Sequence, residues 1–539
     1  LSRRQRQMRI RDSGNASLVA GVGGFGAGGS TVRRGGGGAG LGGAIFVMEG
    51  GALTIGGNTE VRGNSVTGGA SGGNGAQAGS AFGAGIFMQG SSTLTFVPGG
   101  GATQTFADAI ADQTGSGGTG ANAGSIGLVK GGDGRLVLSG ANTYSGGTRV
   151  TGGTLSIAAD HNLGAVSGTL TLDAGILQNT AAVATARAIT IGNGAGFQTD
   201  ADLTATGVIS GTGSLAKTGA GTLTLAGVNT YSGGTSLWGG KVSVSSDANL
   251  GAFGPLAFDG GTLQVTGTAF TSTSRFVIWG SDGGGFDIVE GDATFSVGQA
   301  LTKFGSLRKE GAGTLVLSGA NTFMGGTTIS AGTLVGSAGN FGSGTITNNA
   351  ALRIDQSGDA TFANTITGSG ILTKTGTGTL KLTRANGHTG GTTVAGGTLE
   401  LATTGAAGSG DITVDNSANR NATLQVDAGV HIDNAVFVSN QGTLNNSGAI
   451  AASNPAGPGV AVAVRGGTVN NSATGTIIGD GAGVTLEGGA GAVTNTGGLI
   501  QGGNGIGVRG ACHSRQRSWW NHHWRGHWRP YAQRRHCGQ

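Results

Sequence analysis

Short aliphatic triplets, apolar at the first and third positions and more polar between, recur along most of the chain. Leu136-Val137-Leu138 and Leu223-Thr224-Leu225 are typical, and this period of two predicts brief strands whose outer residues face inward. Thr is the usual middle residue elsewhere, which suits an exposed strand position. No segment carries a 3.6-residue apolar stripe with capping residues, so helices are not predicted.

Four segments of about thirty residues align without gaps. They begin at Leu128 (LVKGGDGRLVLSGANTYSGGTRVTGGTLSI), Leu215 (LAKTGAGTLTLAGVNTYSGGTSLWGGKVSV), Leu307 (LRKEGAGTLVLSGANTFMGGTTISAGTLV) and Leu372 (LTKTGTGTLKLTRANGHTGGTTVAGGTLEL). In each copy two triplets stand at one fixed separation of about 19 residues, Leu136 to Leu155, Leu223 to Val242, Leu315 to Leu334 and Leu380 to Leu399. That interval is close to one turn of a three-faced parallel β-helix. The intervals between successive members of the series Lys130, Lys217, Lys309 and Lys374 are near multiples of roughly 20 to 23 residues, so the divergent sequence between copies can form further turns.

Between the paired triplets lies a punctuating segment. Asn142, Asn229, Asn321 and Asn386 occupy one site in it, and turn-capping or inward side-chain hydrogen bonding explains them better than ligand contact. The pairs Gly146-Gly147, Gly233-Gly234, Gly325-Gly326 and Gly390-Gly391 can take positive φ where the coil turns a corner. The four Lys read as solvated charges at a strand end.

Two further patterns flank the repeats. GGAIFVM at Gly42 is echoed by GAGIFMQ at Gly83, and Leu53-Thr54-Ile55 by Leu94-Thr95-Phe96, both roughly 41 residues on, or about two turns. GTLNNSG at Gly442, GTVNNSA at Gly467 and GAVTNTG at Gly491 follow one another at intervals of about 25 and about 24 residues. The chain therefore divides into a basic, Gly-rich segment (1–40), amino-terminal coils (41–127), the repeat block (128–410), Val/Asn-rich coils (411–510) and an aberrant tail (511–539).

Composition narrows the reading. Gly supplies 119 of 539 residues, Pro only 5, and charged residues 11%. Collagen is excluded because Gly does not recur every third residue, and the aliphatic triplets argue against disorder. Aromatics are only 5%, which fits a narrow core. The net charge of +5 comes mainly from Arg3, Arg4, Arg6, Arg9 and Arg11 and six Arg after position 511. The near-neutral body between lacks the basic face that nucleic-acid binding needs. No Cys precedes Cys512, which removes a disulfide framework or thiolate zinc site from the body, and no cofactor is expected. No run of 18 apolar residues marks a membrane helix or signal segment.

The pattern G-x-G-T-L-x-L-S-G-x-N-T-Y-S-G-G-T-x-V-x-x-G-T-L resembles the passenger-associated β-strand repeat of autotransporter proteins of Gram-negative bacteria. The amino-terminal G-G-A-I with Gly63-Asn64 is similar to β-helix motifs of polymorphic outer-membrane proteins. The resemblance implies an all-β fold, a right-handed parallel β-helix in one elongated body. It also implies export through an outer-membrane β-barrel, and a passenger displayed on or released from the cell surface. The barrel's alternating amphipathic strands are absent from this sequence. The expected function is a rigid, non-enzymatic, adhesin-like stalk meeting host or bacterial cell-surface molecules. The rival is a stalk for a protease or esterase domain upstream of Leu1, and a β-helical polysaccharide lyase or hydrolase using Asp282 and Asp287 is a third reading.

Candidate chemistry is thin. Gly21-Val-Gly23-Gly-Phe-Gly26 matches G-x-G-x-x-G without a βαβ unit, as a Gly-rich background produces by chance. Gly69-Ala-Ser71-Gly-Gly73 has nucleophile-elbow spacing without a placed His, and Asp12-Ser13-Gly14 lacks triad partners. Asp282, Asp287, Glu290 and Asp292 read as a loop of solvated charges. Asp133 and Asp480 lie in Gly-rich turns without calcium-binding nonapeptides. The tail holds Cys512, His513, His536, Cys537, Trp519, Trp520, Trp524 and Trp528 in no known metal spacing. A frameshifted reading of repeat codons is its preferred explanation.

Overall fold

The computed structural model describes residues 38–71, 77–452, 459–487, 491–503 and 508–510. The strands pair in parallel throughout, with one isolated antiparallel bridge between Ser439 and Gly466, and the chain forms a β-solenoid of about 19 turns. Among the described residues there is no α-helix, only short 3-10 turns such as Asp160–Leu163 and Asp247–Leu250.

The interval between paired triplets is one turn. Leu136 lies directly over Leu155, Leu223 over Val242, Leu315 over Leu334 and Leu380 over Leu399. Alternation sets what faces in: in Arg135–Leu138 the two Leu are buried and the residues alternating with them are half exposed. Successive turns stack these inward residues into columns, one running Leu136, Leu155, Leu177, Phe197. Each buried Leu contributes roughly 1.5–3 kcal/mol, and each turn is stabilised by contacts with its two neighbours. An aromatic cluster fills the core at Phe258, Trp279 and Phe286, with the Phe258 ring 5.2 Å from Trp279 and 5.0 Å from Phe286.

Three faces run the length of the solenoid, and each is interrupted. The first carries Leu53–Gly56 to Ile209–Gly211, then resumes at Ser272–Thr273. The second runs to Val277–Trp279 and resumes at Ala360–Phe362. The third is broken twice, after Ile110–Asp112 until Val183–Thr185 and after Gly387–His388 until His431–Ile432. These four breaks coincide with the four repeats, falling on the third, first, second and again third face. In the first three copies the Asn-to-Gly-Gly segment replaces a short strand, and in the fourth it still carries the paired strand Gly387–His388 before the ladder lapses, so two faces keep their ladders while the remaining one becomes a loop. The intervals between copies carry the loop from one face to the next.

Towards the carboxy terminus a different device closes the turns. Asn446 Nδ2 donates to Asn471 Oδ1 at 2.8 Å, and Asn471 Nδ2 to Asn495 Oδ1 at 3.0 Å, a ladder running through the three NN/TN motifs.

Candidate functional site

The interior of each repeat is polar as well as apolar. In Ile126–Lys130, alternation buries Ile126, Leu128 and Lys130 alike. Lys130, Lys217, Lys309 and Lys374 are all 0% exposed, which corrects the expectation of solvated charges. Each stands in an inward column between apolar neighbours: Phe96 and Val150, Phe197 and Leu237, Phe286 and Ile329, Ile354 and Val394.

What makes this tolerable is the turn corner. Lys130 Nζ donates to the carbonyls of Gly131, Gly132 and Gly152 at 2.8, 2.9 and 2.9 Å. Lys217 meets Thr218, Gly219 and Gly239 at 2.8, 2.9 and 3.1 Å. Lys309 and Lys374 repeat the arrangement on Glu310, Gly311 and Ala331, and on Thr375, Gly376 and Gly396. Three carbonyls saturate the three donors of an ammonium, and in every cage the third carbonyl comes from the next turn. Burial pulls each of these pKa values from 10.5 to about 8, partly offset by nearby carboxylates such as Asp133, Asp202 and Asp355. At pH 7 all four are therefore cations tying adjacent turns together.

The four Asn residues bridge three turns. Asn142 Oδ1 accepts from Ile110 N at 2.8 Å and its Nδ2 donates to Asn162 O at 2.6 Å. Asn229, Asn321 and Asn386 make the equivalent pairs, to Ile209 and Asn249, to Leu301 and Asn340, and to Ile366 and Ala406. In the glycine pairs only the second member has positive φ, +82° at Gly147, +86° at Gly234, +80° at Gly326 and +92° at Gly391. The first is required by close approach: a Cβ on Gly146 or Gly233 would lie 2.6 or 2.4 Å from the backbone of the turn below.

Beside each pair an aromatic ring covers a buried Thr. Tyr144 hydroxyl meets Thr148 Oγ1 at 2.7 Å, Tyr231 meets Thr235 at 2.6 Å, and His388 Nε2 meets Thr392 at 2.9 Å. The third copy has Phe323 at this position, and Thr327 Oγ1 is left without a partner. Two buried Arg complete the scaffold. Arg187 and Arg275 reach back to Asp160 and Asp247 with Nε–Oδ1 distances of 2.9 Å, and their remaining donors fill loop carbonyls such as Gly164 and Gly251. In the third and fourth copies the Asp is absent and Asn364 and Asn434 stand where the Arg would be, each donating to two loop carbonyls.

The acidic group is not a single solvated loop. Asp287 is buried on the third face, 2.6 Å from Lys241 Nζ, with Gln264 donating to it and Glu310 2.9 Å from the same Lys. Asp282 and Asp292 are exposed. Among the described residues no group of His, Cys, Asp and Glu is arranged to hold a metal ion. The Gly21–Gly26, Asp12-Ser13-Gly14 and tail motifs lie outside the described residues, as do Gly72 and Gly73 of the elbow-like spacing.

Sequence reasoning missed the Lys cages and the Arg clasps. Alternation could have found the first, since each Lys stands two positions after an inward Leu. The second leaves a trace in Asp160-His-Asn-Leu-Gly and Asp247-Ala-Asn-Leu-Gly, each followed about one turn later by Arg.

Four segments match the family Passenger-associated-transport-repeat, at residues 128–157, 215–244, 307–335 and 372–401. The chain is also 48% identical over 145 residues to the adhesin BmaC autotransporter of Brucella suis biovar 1 (strain 1330). That stretch is 25% of this chain and 4% of the Brucella protein, so the chain spans only a small part of its relative. No solved structure matches.

Proposed function

We propose that this chain, a passenger region of the autotransporter type, is a rigid stalk whose outer faces make adhesive contacts at the cell surface, without catalysis of its own. The observation that carries the reading is the coincidence of the four family-matching repeats with four equivalent lysine cages in the solenoid. At ~4.8 Å per turn, 19 turns make a rod roughly 90 Å long. Caged ammoniums, bridging Asn and clasped loops join each turn to the next where a face lacks its ladder, which keeps the rod stiff. Likeness to an adhesin adds support for surface display and for cell-surface molecules as partners.

The test is display of this chain on a non-adherent bacterium, fused to a heterologous outer-membrane barrel, with attachment to epithelial and bacterial cell layers counted against the barrel alone. Attachment that soluble chain competes away is the expected result. Equal counts for chain and barrel alone would refute the adhesive reading.

A further inference from the structure

Exposed large apolar side chains such as Phe253 and Phe276 are scattered over the outer surface, but at the corner between the second and third faces three of them follow the solenoid axis. The register that stacks Leu237, Phe258 and Trp279 brings Trp238, Asp259 and Gly280 one above another. Gly305 then sits against the Gly280 carbonyl and Gly325 against Phe304, which places Phe304 and Met324 on the next two turns. Trp238, Phe304 and Met324 are 56%, 71% and 58% exposed. Glycines at 260, 280, 305 and 325 leave the floor between them without side chains. The carboxylates of Asp259 and Asp282 flank that floor, Asp259 Oδ1 accepting from the Asp282 amide at 2.9 Å. Immediately beyond Phe304 the same corner opens into a concavity lined by Met324, Gly326, Thr328, Gly344, Thr345 and Thr347, none of them charged, while Arg308, the neighbour of Thr328 one turn below, is turned away to the Gly260 carbonyl at 2.6 Å.

We propose that this corner, from Trp238 to Thr347, binds a neutral glycan lying along the solenoid axis. A sugar ring presents an apolar C–H face and a rim of hydroxyls. The exposed Phe304 ring and the Met324 side chain supply apolar contacts for the first. The hydroxyls of Thr328, Thr345 and Thr347 supply donors and acceptors for the second. Trp238 lies three turns from Phe304, about 14 Å at ~4.8 Å per turn, so one chain of several sugars reaches both. The uncharged lining selects against phosphate and sulfate, and the two carboxylates nearby repel polyanions. A protein partner fits less well, because the apolar side chains are separated by Gly and Asp and form no contiguous apolar centre.

The inference deepens the adhesive reading by naming a ligand class, and its test is separate. The purified chain is titrated calorimetrically with maltohexaose, cellohexaose and chitohexaose, with heparin as the polyanion control. Binding of at least one neutral hexasaccharide is expected, weakened at least tenfold by Phe304→Ala and by the double change Thr328→Val, Thr347→Val. Both Thr lie at the outward middle of strands, where Val is accepted, and unchanged circular dichroism checks the fold of each variant. No heat with any neutral hexasaccharide, equal affinity in the variants, or binding of heparin alone would overturn the proposal. Cell attachment that survives Phe304→Ala removes this site and leaves the adhesive stalk standing.

Discussion

Replacing Lys217 by Met keeps the length of the side chain and removes its charge, which isolates what the cage contributes. Three inward carbonyls, of Thr218, Gly219 and Gly239, lose their donor, at about 1–3 kcal/mol each. Against this, the variant no longer buries an ammonium. The fall of the pKa from 10.5 to about 8 corresponds to about 3 kcal/mol at pH 7. Taking the carbonyls at mid-range, about 6 kcal/mol, the net effect is a destabilisation of about 3 kcal/mol. It is concentrated in the two turns the ammonium joins. The pH dependence has a definite sign. A folded pKa below the unfolded one means that the unfolded chain holds the proton more tightly. Stability is therefore greatest above 10.5 and is lost as pH falls from there through about 8. The wild-type advantage over Lys217→Met should grow between pH 8 and 10 and be flat from 6 to 7.5. Guanidinium unfolding followed by far-ultraviolet circular dichroism reads the midpoint, and hydrogen exchange across residues 215–244 reads its location. Lys303→Met, at an exposed site, is the control and should change nothing. An unchanged midpoint in Lys217→Met, or an advantage that shrinks as the pH rises, would refute the cage as an energetic device.

Three other outcomes follow from the same interior. Phe323→Tyr gives Thr327 the hydroxyl partner that Thr148 and Thr235 already have, and should raise stability by about 1 kcal/mol, read as an upward shift of the thermal midpoint. Arg275→Asn alone leaves Asp247 without its clasp and should destabilise by about 3 kcal/mol, whereas adding Asp247→Thr, the residue of the fourth copy, should recover part of the loss. Strict additivity in that double-mutant cycle would count against the clasp. Gly233→Ala drives a Cβ to 2.4 Å from the backbone of Gly213 and should lower stability by about 2 kcal/mol or more, while Gly100→Ala, which meets nothing within 4 Å, should stay within about 0.5 kcal/mol of wild type.

The turn was legible because one rule, alternation with period two, acts on every residue alike. Leu136 and Leu155 stand at matching places in their triplets and are one turn apart in space. The same rule, followed without regard to charge, also puts Lys130 inside, since Leu128, Val129 and Lys130 point in, out and in. Charge argued the other way, and the contest was settled by something the triplets do not display, the direction of the carbonyls at the corner. Those directions depend on Gly132 and Gly153, whose φ values of +65° and +55° bring the backbone around the ammonium. Asp287 was misread for a related reason: its partner Lys241 lies 46 residues away, two turns below, a distance that no local window spans.

The rotation of the repeats was hidden for a different reason. Turns differ in length: the one from Leu136 to Leu155 is shorter than the next, which ends at Leu177, and the one from Leu399 to Leu424 is longer than either. The spacing from Lys130 to Lys217 therefore does not say on which face the next copy begins until each intervening turn is placed. Once they are placed, the consequence for the surface is clear. The loop segments of the first three copies point in three directions, and that of the third copy, on the second face, runs into the corner that exposes Phe304 and Met324. It is the loss of the ladder on the second face after Val277–Trp279 that brings the irregular segment 298–306, and Phe304 with it, to the surface. The interlocks inside the repeats make such a break tolerable, so the features that stiffen the rod also shape the part of its surface most suited to binding.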